Sequence, residues 1–303
     1  MHSNKIRISP NGLELSRIVA GVWKWGVWGW KMSDQEHLEL IEKCIEYGVT
    51  TFDHADIYGH YTSESDFGRA LKLHPNLREK MQLVTKCSIK LTTPNRPTHS
   101  LKSYDTSKEH IIWSAENSLK ELNTDRIDLM LIHRPSPLMN ADEIAEAFNQ
   151  LKKDGKVLHF GVSNFTRSQF ELLNSRIELA TNQIELHLMH PEPFLDGTLD
   201  QCQQHRISPM AWSPLSSGRI FSDLDDEQVQ RVRKAAAPLL EKYDIKLDQL
   251  LIAWLLKHPS NILPILGTAR HERVLNAIEA LKIELTREEW FVLWEAAQGQ
   301  EVP

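Results

Sequence analysis

The sequence predicts an α/β protein, a (β/α)8 TIM barrel with an amino-terminal β-hairpin and two extra helices. Three observations predict it. Short apolar runs that read as strands alternate with helical patterns along the chain, the rhythm of parallel βα units. Eight such runs occur in 303 residues, which suits an eightfold barrel of about 250 residues with additions. Polar residues of contrasting chemistry also stand at successive run ends, where they meet only if the strands lie side by side and parallel.

Lys5 to Leu15, with a turn at Pro10-Asn11-Gly12, reads as a hairpin placed to plug the barrel bottom. The strands follow at Arg17 to Gly21, Val49 to Phe52, Met81 to Thr85, Ile127 to Ile132, His159 to Val162, Ala180 to Ile184, Ile207 to Trp212 and Ile262 to Leu266. Between them, sets such as Leu38, Ile41 and Ile45, or Ile144, Ala147, Phe148 and Leu151, repeat at helical spacing. Caps are expected at Ser33-Asp34, at Ser107 before Lys108-Glu109, at Thr166 with Gln169, and at Thr286 with Glu289. Asp226 to Tyr243 and Thr286 to Ala297 are the helices beyond the eightfold count. With no linker or low-complexity tract, residues 1–303 read as one domain.

A formal net charge of -6 argues against a broad basic surface and hence against a nucleic-acid partner. The longest apolar stretch, Leu250 to Leu256, is too short to cross a bilayer, and no apolar segment backs the charges at the amino terminus. A cytoplasmic protein without a membrane partner is expected. Cys44, Cys87 and Cys202 lack metal-like spacing and fit a reducing compartment; strand alternation turns Cys87 away from the barrel axis. Nothing in the pattern speaks to oligomeric state.

The chemistry collects at Asp53, Tyr58, Lys86 and His133, each at or just past the end of a run. A phenol, an ammonium, a carboxylate and an imidazole together point to proton transfer to a carbonyl oxygen. A free tyrosine, with a pKa of about 10, is a weak acid near neutrality. The Lys86 ammonium is expected to lower that pKa, Asp53 to keep Lys86 charged, and His133 to hold the substrate oxygen. The set holds no electron source, so a reduction needs a hydride from a bound cofactor. A lysine at a strand end also leaves a Schiff-base aldolase open. His54, Asp56 and His60 read as solvent-facing loop residues, and no metal set is expected.

Five ordered motifs resemble the aldo-keto reductases, and within them the bacterial YdhF-type oxidoreductases. They are Asp53-x-Ala55-x-x-Tyr58-Gly59, Lys86, Leu131-Ile132-His133-Arg134-Pro135, Gly161-Val162-Ser163-Asn164-Phe165 and Asn182-Gln183. The resemblance runs nearly end to end and implies NADPH-dependent reduction of aldehydes or ketones to alcohols. It places the cofactor across the barrel mouth without a Rossmann fold, with NADH less favoured. Hydride then leaves nicotinamide C4, Tyr58 is the general acid, Lys86 and Asp53 tune it, and His133 orients the carbonyl.

On the same resemblance, Ser163, Asn164 and Gln183 hold the nicotinamide carboxamide and Trp212 stacks on its ring, while Ser213, Leu215 and Gly218 belong to a pyrophosphate loop. Gly267 and Thr268 precede a helix amino terminus, a natural anion site, in a segment with Arg270, Arg273 and Asn276. Arg270 or Arg273 would pair with a 2'-phosphate. Trp23, Trp25, Trp28 and Trp30 crowd the first βα loop and are expected to wall the pocket for a small carbonyl substrate. Ser88 to Asp105 reads as a mobile lid or an exposed loop. A protein that binds NADPH and reports redox state to a partner is the non-enzymatic alternative.

Overall fold

The computed structural model describes residues 4–10, 12 and 14–303. Strands β1 (Lys5–Arg7) and β2 (Glu14–Ser16) pair antiparallel as the expected hairpin; Asn11 of its turn lies outside the described residues. The chain continues through β3 (Val19–Gly21), β4 (Thr51–Asp53) and β5 (Gln82–Cys87), then a small hairpin of β6 (Ile89–Lys90) and β7 (Ser103–Tyr104). Next come β8 (Ile127–Ile132), β9 (Val157–Ser163), β10 (Asn182–Glu185), β11 (Met210–Trp212) and β12 (Leu263–Leu266). Eight of these close into a barrel, β3-β4-β5-β8-β9-β10-β11-β12, with every neighbouring pair parallel.

Inside the barrel, Val19, Val84, Leu129, Leu131, Met210, Leu263 and Ile265 pack together, and Ile8 and Leu15 of the first hairpin complete the cluster. That contact is the bottom plug. It also explains why some strands start later than their apolar runs. Ser208 donates its backbone N–H to Ile8 of the hairpin at 2.8 Å, so the seventh ladder begins only at Met210.

Helices cover the outside. The helix Ala141–Lys153 buries Ile144, Ala147, Phe148 and Leu151 against Met130, Ile132, Phe160 and Cys87, the outward-facing side chains of β8, β9 and β5. Ser33, Thr166 and Thr286 form reciprocal capping boxes and Ser107 caps its helix alone, each worth about 1 kcal/mol. The two added helices, Glu227–Tyr243 and Arg287–Gln298, share one apolar cluster containing Val229, Val232, Leu293 and Trp294.

Residues 88–105 form a largely exposed loop, one of the two expected readings, tied at its base by the β6–β7 ladder and further out by Leu91 N–H on Tyr61 Oη and by Arg96 over the Tyr61 ring. One expectation needs correction. His54 and Asp56 are buried rather than solvent-facing, because the loop after β4 turns inward; His54 meets the Phe67 ring edge-on at 4.5 Å. His60 is exposed as expected. No helix among the described residues is long and apolar enough to cross a membrane.

Candidate active site

Asp53 ends β4 and Lys86 lies one residue short of the end of β5, so both side chains enter the barrel mouth and meet. Lys86 is fully buried, and its Nζ donates to Asp53 Oδ2 at 2.7 Å, to the His54 carbonyl at 2.7 Å and to Tyr58 Oη at 3.1 Å. An ammonium has three protons and no lone pair, so all its donors are engaged and Tyr58 Oη must accept. The phenol's own proton is therefore free to point into the cavity.

Burial alone would lower the Lys86 pKa, but Asp53 and Tyr58 more than reverse it and hold the amine charged. A charged amine is no nucleophile, which removes the basis for Schiff-base chemistry. For Tyr58, burial raises the pKa and outweighs the lowering by Lys86, so the net shift is upward. The expectation of a lowered phenol pKa is thus corrected, since the half-buried ring loses more hydration than the ammonium returns.

His133 directly follows β8, lines the same cavity and meets the Tyr58 ring edge-on at 6.0 Å. Burial, then the charges of Lys86 and Arg134, push its pKa well below the usual value, so the ring is neutral. A polar chain extends from this cluster. Gln183 Nε2 donates to Asp53 Oδ1, Ser163 Oγ to the Gln183 carbonyl, Asn164 Nδ2 to Ser163 Oγ, and Trp212 Nε1 to Asn164 Oδ1. Gln183 is the second residue of β10 rather than its last, yet register places it beside Ser163 at the end of β9.

These residues border a cavity of about 900 Å³ that continues past Ser213, Leu215 and Gly218 to Gly267, Thr268, Arg273 and Asn276. It is far larger than a small carbonyl compound requires. At Gly218, with φ +94°, and at Gly267, an added Cβ would meet nothing within 4 Å, so the backbone there faces open space. A long ligand with both apolar and hydrogen-bonding parts fits this trough, whose wall mixes side chains such as Leu215, Phe221 and Ile265 with Ser163, Asn164 and Arg273. Among the described residues, no group of three or more His, Cys, Asp or Glu side chains is arranged to hold a metal ion.

A model of the aldo/keto reductase family matches residues 17–297. The chain belongs to that family. It is an NAD(P)H-dependent oxidoreductase. The reductase is 49% identical over 302 residues to oxidoreductase YdhF of Escherichia coli strain K12, covering 99% of both chains. It is 42% identical over 293 residues to a 6-dehydroglucose reductase of Agrobacterium fabrum, covering 96% of this chain and 97% of the other. Its structure resembles that of an aldo/keto reductase from Klebsiella pneumoniae in complex with NADP and acetate. The TM-score is 0.78 at 28% identity, covering 99% of this chain and 96% of that one.

Of the four clustered tryptophans in the reductase, Trp23 lines the cavity and Trp28 lies 6.2 Å from the Tyr58 ring. Trp25 does not wall the pocket. It is 1% exposed, packed against Phe52 and Phe67, with Nε1 donating to the Thr268 carbonyl at 2.9 Å. Trp30 is half-exposed beneath the Arg270 guanidinium, 5.1 Å from its ring, so both sit outside the cavity wall while Arg273 lies on it.

Sequence reasoning missed Arg134, Phe221, Lys246 and Asp248, all of which line the cavity. Arg134 carried a usable signal, since it follows His133 directly. Lys246 and Asp248 carried none: they flank the start of the helix Leu247–Leu256 and reach the cavity only through tertiary packing, where Asn276 Nδ2 donates to Asp248 Oδ2.

Proposed function

We propose that this reductase uses NADPH to convert small aldehydes or ketones to alcohols, with Tyr58 donating the proton. The observation that carries the reading is the uncommitted phenol proton: Lys86 donates to Tyr58 Oη, which lines the cavity, and so leaves the O–H available to a ligand there. When bound, NADPH supplies the hydride. Neutral His133 offers a ring N–H to the carbonyl oxygen beside Tyr58, fixing that oxygen in line with the phenol. As charge grows on the oxygen, the Tyr58 proton moves to it and the buried Lys86 ammonium stabilises the phenolate left behind.

Ser163, Asn164 and Gln183 are positioned to hold an amide, and Trp212 offers a ring face at the same level. Arg273, at the Thr268 end of the cavity, favours a 2'-phosphate and so NADPH over NADH. The K. pneumoniae complex with NADP supports the cofactor, and the 6-dehydroglucose reductase supports a carbonyl substrate. Residues 1–303 act as one cytoplasmic domain whose partner is the small-molecule carbonyl, with neither nucleic acid nor membrane involved.

The test follows NADPH oxidation by the purified protein with an aromatic aldehyde, beside Tyr58→Phe and with NADH as competing donor. Loss of about 10²–10⁴-fold in kcat with retained NADPH binding is expected. Equal loss of turnover and cofactor binding would remove Tyr58 from the role.

A further inference from the structure

Arg134 is a charge at the reacting end of the cavity that no ion pair among the described residues offsets. Of the two cations whose fields reach both Tyr58 and His133, Lys86 is matched by Asp53 at 2.7 Å. The other, Arg134, makes no side-chain hydrogen bond or ion pair among the described residues and lies over the Trp212 face, 5.9 Å from its centre. Its side chain is half-buried, so a ligand that fills the cavity strips water from a guanidinium with no protein acceptor. An apolar ligand leaves that loss uncompensated, whereas an oxyanion offsets it with charge-assisted hydrogen bonds.

The surrounding geometry gives such a group a place to go. Arg134, Asn164 and Trp212 also border a second recess of about 630 Å³, whose farther wall includes Arg167, Glu185 and His190. Arg167 likewise has no carboxylate partner among the described residues, and it brings a second guanidinium to the recess. Two carboxylates also border the recess, Glu185 at 3.4 Å from the His187 ring and Asp196, whose Oδ1 accepts from Thr198 N–H at 2.8 Å, so an anion is held on the Arg134 side of it.

We propose that Arg134 is a specificity-determining residue, selecting carbonyl substrates that carry a carboxylate, whose anion sits between Arg134 and the recess beside Trp212. The proposal rests on the carbonyl-reduction reading and adds the substrate class to it. The reaction is unchanged: hydride from NADPH to the carbonyl carbon, proton from Tyr58 to its oxygen, and the carboxylate a bystander.

The experiment compares kcat/KM for 4-oxobutanoate with that for pentanal, which has an apolar tail in place of the carboxylate. The wild type is expected to prefer 4-oxobutanoate by about tenfold or more, and about 0.5 M NaCl to narrow the preference. Arg134→Met, which keeps an unbranched stem on Trp212, should erase it, Arg134→Lys should recover part, and Arg167→Gln should reduce it less. A wild type that prefers pentanal, or an Arg134→Met loss equal for both aldehydes, overturns the proposal. So does Arg134→Met weakening NADPH binding as much as it weakens 4-oxobutanoate turnover, because Arg134 would then serve the cofactor. Calorimetry of the NADPH-loaded protein with butanedioate separates this proposal from the reduction reading. Turnover of neither aldehyde defeats reduction alone if butanedioate still binds the wild type and not Arg134→Met; absent butanedioate binding defeats the anion site.

Discussion

Gln183 Nε2 donates to Asp53 Oδ1 at 2.8 Å across the barrel mouth, while the other carboxylate oxygen holds Lys86. One buried carboxylate thereby ties β10 to β4 and β5 and sets the heights of Tyr58 and Gln183 together. Asp53→Asn keeps the shape but removes the counter-charge, leaving a fully buried ammonium unmatched. Its unfolding free energy is expected to drop by about 3–5 kcal/mol. Gln183→Leu leaves one carboxylate oxygen without a partner and should cost about 1–3 kcal/mol. Urea denaturation of both variants tests the difference; equal losses would mean that charge matching is not what Asp53 contributes.

The rate of reduction should be level across the neutral range. Tyr58, raised above its ordinary pKa of about 10, stays a protonated donor, and His133, lowered well below its usual value, stays neutral. A kcat/KM profile for aldehyde reduction should be flat from about pH 6.5 to pH 9 and fall only as the phenol ionises. A limb near the ordinary histidine pKa would show that His133 gains a proton in the working site.

Much of the barrel was legible because run ends and strand ends nearly coincide where one face of each strand meets the helices. Asp53, Lys86 and His133 were found that way, and register then brought Gln183 to Ser163 although strand position alone put it at the wrong height. What sequence did not carry was direction and tertiary approach. Trp25 and Trp23 stand two apart in one loop, yet one is buried at 1% and the other 44% exposed. His54 and Asp56 look like loop surface until the turn after β4 buries them beside Lys86. The β6–β7 ladder has two pairs, too few to leave a periodic trace.

That contrast between the tryptophans is itself testable. Trp25→Ala removes a ring packed on Phe52 and Phe67 and should cost about 3–5 kcal/mol. It also releases the Thr268 carbonyl, so NADPH affinity should fall with stability. Trp23→Ala, at the exposed rim, should stay within about 0.5 kcal/mol of wild type while changing KM for the aldehyde. Urea titrations and NADPH fluorescence titrations read the two effects; a stability loss in Trp23→Ala as large as in Trp25→Ala would contradict the assignment.

Glu64 provides a pH dependence that is separate from catalysis. It is 4% exposed, accepts from Thr85 Oγ1 at 2.6 Å and Ser118 Oγ at 3.0 Å, and burial raises its pKa from 4.5 to about 7. A carboxyl whose folded pKa exceeds its unfolded one holds its proton in the native state while the unfolded chain has lost it. Its contribution therefore weakens stability as pH rises from the unfolded value to about 7, then levels off. Each pKa unit is worth about 1.4 kcal/mol, so the loss is on the order of 3 kcal/mol. His54, lowered to about 3 chiefly by burial, acts in the opposite sense below the unfolded histidine pKa. The wild-type curve thus mixes both signs, and the comparison with Glu64→Gln isolates the carboxylate. Urea midpoints of wild type and Glu64→Gln should diverge between pH 5 and pH 7, the variant becoming the more stable at the higher pH, and run parallel above it. Parallel curves throughout would show that Glu64 ionises in the folded protein at its ordinary pKa.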